Sequence, residues 1–148
     1  MKALQRILVP TDFSQYADKA LEQALLLAKQ FNAQIYLLHV VEDIKQCAND
    51  YCLSEEWLNQ YRLSSVNASK EKLRNEVEKY AEAKGVPITE YVKIGMPYEE
   101  ILKEEQEKKI DLIVIASHGK TGFLQHLIGS VADRVSHGAK SQVLLVKA

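Results

Sequence analysis

The stretch that decides the fold is Asp111–Asp133, DLIVIASHGKTGFLQHLIGSVAD. From Leu112 to Ala116 every residue is aliphatic, with no polar alternation, which is the pattern of a strand buried on both faces of a parallel sheet. Ser117-His118-Gly119 ends that run abruptly. It is small and polar, with a glycine that can take φ > 0, so the backbone can turn sharply with its N–H groups outward and hold an anion. Ten residues on, Gly129-Ser130 opens a helical pattern through Val131, Ala132 and Val135, with Asp133 three residues after Ser130 as in a capping box. Ser130 sets a hydroxyl beside helix N–H groups that lack intrahelical partners.

Working outward, Leu4 to Val9 is a short apolar strand that Pro10-Thr11-Asp12 ends, because proline cannot donate to a ladder. Ser14 caps a helix whose apolar positions Ala17, Ala20, Leu21, Ala24, Leu25, Leu27 and Ala28 recur with helical spacing to Phe31, and Asn32 stops it. Gln34 to Val41 is a second strand. Glu42 to Leu53 has no period and is read as a loop, mobile without ligand. Ser54 restarts a helix running towards Lys84, with a break expected near Ser64-Ser65 and its Tyr and Leu positions, among them Leu58, Tyr61, Leu63 and Leu73, in the core. Ile88 to Ile94 reads as an outer strand, Tyr98 to Lys108 and Ser130 to His137 as helices, and Gln142 to Val146 as the last strand.

Strands alternating with helices argue an α/β chain with a doubly wound parallel sheet, since parallel neighbours need helical crossovers. Five strands fit a single-domain, flavodoxin- or Rossmann-like sheet with helices on both faces, and in such sheets ligands bind where the winding reverses. At 148 residues one domain, 1–148, accounts for the chain.

Ala116-Ser117-His118-Gly119, the nine residues Lys120 to Ile128 and then Gly129-Ser130 resemble the nucleotide-binding signature of the universal stress protein family, G-x2-G-x9-G-[ST], with Ala116 in place of its first glycine. The resemblance extends to Val9-Pro10-Thr11-Asp12-Phe13-Ser14, Leu38-His39-Val40, Gly95-Met96-Pro97 and Val143-Leu144-Leu145-Val146, nearly the whole chain. It implies strand order 3-2-1-4-5, and ATP, AMP or ADP in the crevice where strands one and four diverge. Carried over by position, Val40 lies against adenine, Asp12, flanked by Pro10 and Thr11, takes base or ribose hydrogen bonds, and Ala116 sits beside the ribose. Gly119, Gly129, Ser130 and Val131 hold phosphates through backbone N–H groups and the Ser130 hydroxyl, while His118 and Lys120, next to Ser117, add charge. A magnesium or manganese ion could bridge the phosphates, although no carboxylate pair is placed to anchor it without the nucleotide. The methyl group of Ala116 is expected to weaken or shift binding rather than abolish it. The same resemblance points to a dimeric stress-response regulator. Its alternative is a nucleotide-free dimeric scaffold, which would be expected to lack the glycines and the Gly-Ser pair kept here.

Nineteen basic against twenty acidic residues give a net charge of −1, so no overall field draws the chain to nucleic acid or an anionic membrane. No stretch approaches the ~20 apolar residues of a membrane span, and the N-terminus lacks a signal-like apolar run, so a cytoplasmic protein is expected. Cys47 and Cys52 match neither a redox nor a metal spacing and read as free thiols. Gly119-Lys120-Thr121 imitates the end of a phosphate-binding P-loop, but the glycine required five residues earlier is Val114. No nucleophile–base arrangement can be argued from spacing, so no catalytic or metal-ligating residue is assigned and at most slow ATP hydrolysis is expected. The apolar last strand, Val143 to Val146, would lie at a sheet edge, where it invites pairing with a second copy.

Overall fold

A computed structural model describes residues 3–80, 83–119 and 127–147. Its elements are β1 (Arg6–Pro10), α1 (Gln15–Phe31), β2 (Gln34–Glu42), α2 (Lys45–Asp50), α3 (Glu55–Glu78), β3 (Ile88–Gly95), α4 (Pro97–Glu107), β4 (Leu112–Ala116), α5 (Ser130–Gly138) and β5 (Gln142–Val146). The five strands form one parallel sheet in the order β3-β2-β1-β4-β5. The expected winding is therefore present, with its reversal between β1 and β4.

Alternate residues of the inner strands serve opposite cores, which explains why those strands read as unbroken apolar runs. Ile7 and Val9, Ile35 and Leu37, and Val114 face α1 and α3, packing on Ala20, Leu21, Ala24, Leu25, Ala28 and Leu73. Leu8, Leu38, Ile113 and Ile115 face α4 and α5, packing on Ile101, Ala132 and Val135. Each fully buried Leu or Ile contributes roughly 1.5–3 kcal/mol.

Local chemistry sets the helix ends. The Ser14 hydroxyl accepts from Ala17 N at 3.2 Å, and Asn32 closes α1 in the left-handed conformation at φ 56°, as expected. Ser54 caps α3 in the same way through Trp57 N, at 3.1 Å.

Three expectations need correction. The segment read as a loop contains α2, one buried residue (Ala48) deep, started by Asp43 accepting from Lys45 N at 3.1 Å and stopped by Cys52 at φ 54°. A single anchor leaves no periodicity to read. Secondly, α3 runs without a break through Ser64-Ser65 and ends at Glu78, short of Lys84. Lastly, Leu58 and Leu73 are core, but Tyr61 and Leu63 are exposed, Tyr61 stacking on Trp57 at 5.6 Å. α3 packs on β2 and β3 at the sheet margin, so only one narrow face is covered.

α1 and α3 also meet through charge. Glu76 of α3 is buried, with one carboxylate oxygen 2.7 Å from Lys79 Nζ and the other without a hydrogen-bond partner among the described residues. Asp18 of α1 faces it. Burial, then the Glu76 carboxylate within hydrogen-bond reach, raises Asp18 from 3.8 to about 6, with Glu22 reinforcing and Lys79 opposing the shift. A proton on Asp18 lets it donate to the Glu76 carboxylate. Because folded Asp18 holds that proton more tightly than the unfolded chain does, the stabilisation is complete below about pH 4 and is lost as pH rises through about 6. Asp18→Asn keeps a donor at every pH. Thermal unfolding should show its Tm about 2 °C or more above the unmodified protein at neutral pH, with no gain in acid. A parallel pH profile for the two proteins would show that no proton is shared.

Candidate functional site

The carboxyl ends of β1, β2 and β4 open onto a cavity of about 630 Å³. Pro10, Thr11 and Asp12 reach it from β1, Val40 from β2, Ala116, Ser117, His118 and Gly119 from β4, and Gly129, Ser130 and Val131 from the start of α5. Of the candidate residues only Lys120 is not placed there, because it lies outside the described residues.

The β1 side is a tightly bonded turn. Thr11 N donates to Leu38 O at 2.8 Å, carrying the ladder one residue past Pro10. Phe13 N donates to Thr11 Oγ1 and Ser14 N to Asp12 Oδ1, both at 3.0 Å. His39 Nδ1 lies 2.8 Å from Thr11 O, a carbonyl, which places the ring proton on Nδ1. Phe13 is left at φ 65°, a conformation that costs a bulky residue of order 1–3 kcal/mol and persists because the bonds on either side impose it. Its ring packs on His39 with centroids 4.4 Å apart. Asp12 both shapes the turn through Oδ1 and reaches towards the β4 loop through Oδ2.

On the other side, Ser117 N donates to Val146 O at 2.9 Å, and Ser117 O in turn accepts from Gly129 N at 2.7 Å. That second bond joins the two halves of the glycine signature across the residues between them. Gly119 and Gly129 are needed for close approach. A Cβ on Gly119 would stand 2.8 Å from Asp12 Oδ2, and one on Gly129 would stand 3.3 Å from Ser117 O. Neither glycine has positive φ, contrary to the expectation for Gly119. The Ser117 hydroxyl is 2.8 Å from His118 Nδ1, and Tyr16 packs beside the His118 ring at 6.0 Å.

The expected capping box is absent. Gly129 is the cap and Ser130 the first helical residue, so Asp133 sits one position too far along, 3.4 Å from His137. With no side-chain cap, the N–H groups of Ser130, Val131 and Ala132 have no intrahelical acceptor and present the positive end of the α5 dipole. The methyl of Ala116 belongs to the core beneath α1, alongside Val9 and Ala20.

Sequence reasoning missed two walls. α4 supplies Pro97 and Ile101, which with Val40, Ile115 and Ala132 make an apolar slot. α3 supplies Ser65, Ala68, Ser69 and Lys72. The serines and the lysine recur at spacings of four and three, a polar face indistinguishable in sequence from a solvated one. Among the described residues no three His, Cys, Asp or Glu cluster as metal ligands, no helix is long and apolar enough to cross a membrane, and both cysteines are free.

Residues 3–147 match the model of the universal stress protein family. Universal stress protein MJ0531 of Methanocaldococcus jannaschii is 35% identical, with 97% of this chain and 82% of that protein covered. Universal stress protein YxiE of Bacillus subtilis is 33% identical, covering 96% and 98%. The solved structure of the M. jannaschii protein MJ0577 superposes with a TM-score of 0.85 at 29% identity over 99% of this chain and 98% of that one. A universal stress protein solved in complex with cAMP superposes at 0.67, with 25% identity and 98% of each chain covered. Sequence and fold agree over almost the full length, and the chain belongs to the universal stress protein family.

Proposed function

We propose that the chain is an adenine-nucleotide-binding domain over residues 1–148, taking ATP, AMP or ADP, and that it works as a cytoplasmic, dimeric stress-response regulator rather than as an efficient enzyme. The observation that carries this reading is the Gly129–Ser117 bond. It sets an uncapped helix N-terminus and the Asp12 carboxylate into one cavity with an apolar slot, and a nucleotide asks for those three things: donors for phosphate, an acceptor for ribose hydroxyls and a dry place for the base. The cavity volume falls within the ordinary range for small-ligand sites. The family member bound to cAMP supports the same ligand class.

In this reading Val40, near Pro10 and Thr11, lies against the base, Asp12 holds the ribose or base, and Ala116 flanks the ribose. Ala116 is mostly buried beneath α1 and still borders the cavity, so its methyl shifts or weakens that approach rather than closing it. Gly119, Gly129, Ser130 and Val131 hold phosphates, with Ser117 and His118 shaping the loop and Lys120 adding charge. Magnesium or manganese would enter with the nucleotide, whose oxygens supply most of its ligands.

β5 pairs only with β4 among the described strands, and Leu144 is 36% exposed on that outer strand, which suits pairing with a second copy. Sedimentation should give a dimer at micromolar concentration and a monomer for a folded Leu144→Asp variant. Identical assembly of the two would remove this surface from consideration.

Calorimetry on nucleotide-free protein should show saturable heat with ATP, and no heat at millimolar ATP would leave the nucleotide-free scaffold in its place. The two glycines should respond differently. Gly119→Ala meets the Asp12 carboxylate, a side chain rather than backbone, so ATP affinity should fall about tenfold or more with a smaller loss of stability than at Gly129. Gly129→Val presses on the Ser117 carbonyl, which is backbone, and should cost roughly 1–3 kcal/mol of folding stability as well. Unchanged affinity in a folded Gly119→Ala protein would contradict the place given to Asp12.

A further inference from the structure

The α3 wall of the cavity lies on the opposite side of the sheet from α5, since Leu73 belongs to the core under α1 and Ala132 to the core under α4. Among the described residues that line the cavity, Asp12 and Glu42 are acidic and Lys72 of α3 is the one lysine or arginine. Its ammonium makes no ion pair among the described residues. It lies over the Phe13 ring, 5.4 Å from the centroid, and that ring is fixed by the turn at φ 65° and by its tilted contact with His39. One turn earlier, Ser69 is only 7% exposed, lines the same cavity, and its hydroxyl has no hydrogen-bond partner among the described residues. Ser65 continues the face a further turn away.

A helix N-terminus offers about half an elementary charge, too little to offset the two carboxylates beside a polyphosphate. A lysine held over an aromatic face and otherwise unpaired is a point charge ready for an anion. We propose that Lys72, with the Ser69 hydroxyl beside it, determines specificity at this site by reading the anionic charge of the ligand from the α3 side, so that the site selects nucleotides over uncharged nucleosides. The proposal rests on the nucleotide reading above and adds a second, cationic contact that the glycine signature does not contain.

The test is calorimetry of the full chain with adenosine, AMP and ATP, at low and high salt, for the unmodified protein, Lys72→Met and Lys72→Arg. Methionine keeps an unbranched apolar side chain and removes the charge; arginine restores the charge. Lys72→Met should lower ATP affinity about tenfold at low salt, AMP affinity less, and adenosine affinity not at all, with the ATP loss shrinking at high salt and Lys72→Arg recovering much of it. An equal loss for adenosine and ATP would assign Lys72 to packing or to the base and overturn the proposal, as would no loss for any ligand. If the unmodified protein binds neither AMP nor ATP, the nucleotide reading itself fails; if it binds ATP and the variants match it, only the role of Lys72 fails.

Discussion

The pairing of β1 with β4 is the constraint on which the cavity depends. The two strands are about a hundred residues apart in sequence, yet Ile7 lies opposite Leu112 and Leu8 opposite Ile113. Asp111 fixes that register. One of its carboxylate oxygens accepts from Gln5 N at 3.0 Å and Arg6 N at 2.9 Å, while its own N–H donates to Arg6 O at 2.9 Å. A slip of one residue would break all three bonds and turn Ile7 and Leu8 to the wrong faces, so the register is set by charge and burial together. Once it is set, the segments after the two strand ends run side by side, and the carboxylate of Asp12 fills the space where Gly119 has no side chain.

A second layer of buried charge positions α4. Glu104 is 2% exposed, accepts from the Tyr91 hydroxyl at 2.9 Å and pairs with Lys93 Nζ at 3.3 Å, tying the helix to β3. Burial, with the Glu104 carboxylate beside it, raises the Tyr91 phenol well above its ordinary range, which keeps the proton on the donor this bond needs. The next residue, Glu105, is also buried and accepts from Lys140 N and Ser141 N, closing the connection from α5 to β5. Two adjacent glutamates thus hold α4 from either side, and α4 carries Pro97 and Ile101 to the cavity. Each bond is charge-assisted, and removing either partner would strand a buried group.

These features divide what a sequence can disclose from what it cannot. The strands were readable because both faces are covered, so Leu112 to Ala116 has no alternation, and the ends of α1 were readable because Ser14 and Asn32 satisfy backbone groups locally. The halves of the glycine signature could be paired by spacing. The α3 wall could not, nor could the buried anchors of α4, since Ser65, Ser69, Lys72, Glu104 and Glu105 stand in charged, polar stretches that look solvated until the fold shows what lies opposite. α2 was hidden for the reverse reason: it buries almost nothing.

At Gly119 and Gly129 the backbone angles are open to other residues, so the value of these glycines is space. At Gly129 the space is filled by a carbonyl of the same fold, so it belongs to the architecture as much as to any ligand. At Gly119 it is filled by the carboxylate of Asp12, a side chain rather than backbone. At Ala116, the position of the signature's first glycine, the residue belongs to the core with Val9, Ala20 and Ala24 beneath α1 and also borders the cavity. The three positions therefore differ in what surrounds them: core and cavity rim at 116, the Asp12 carboxylate at 119, rigid backbone at 129.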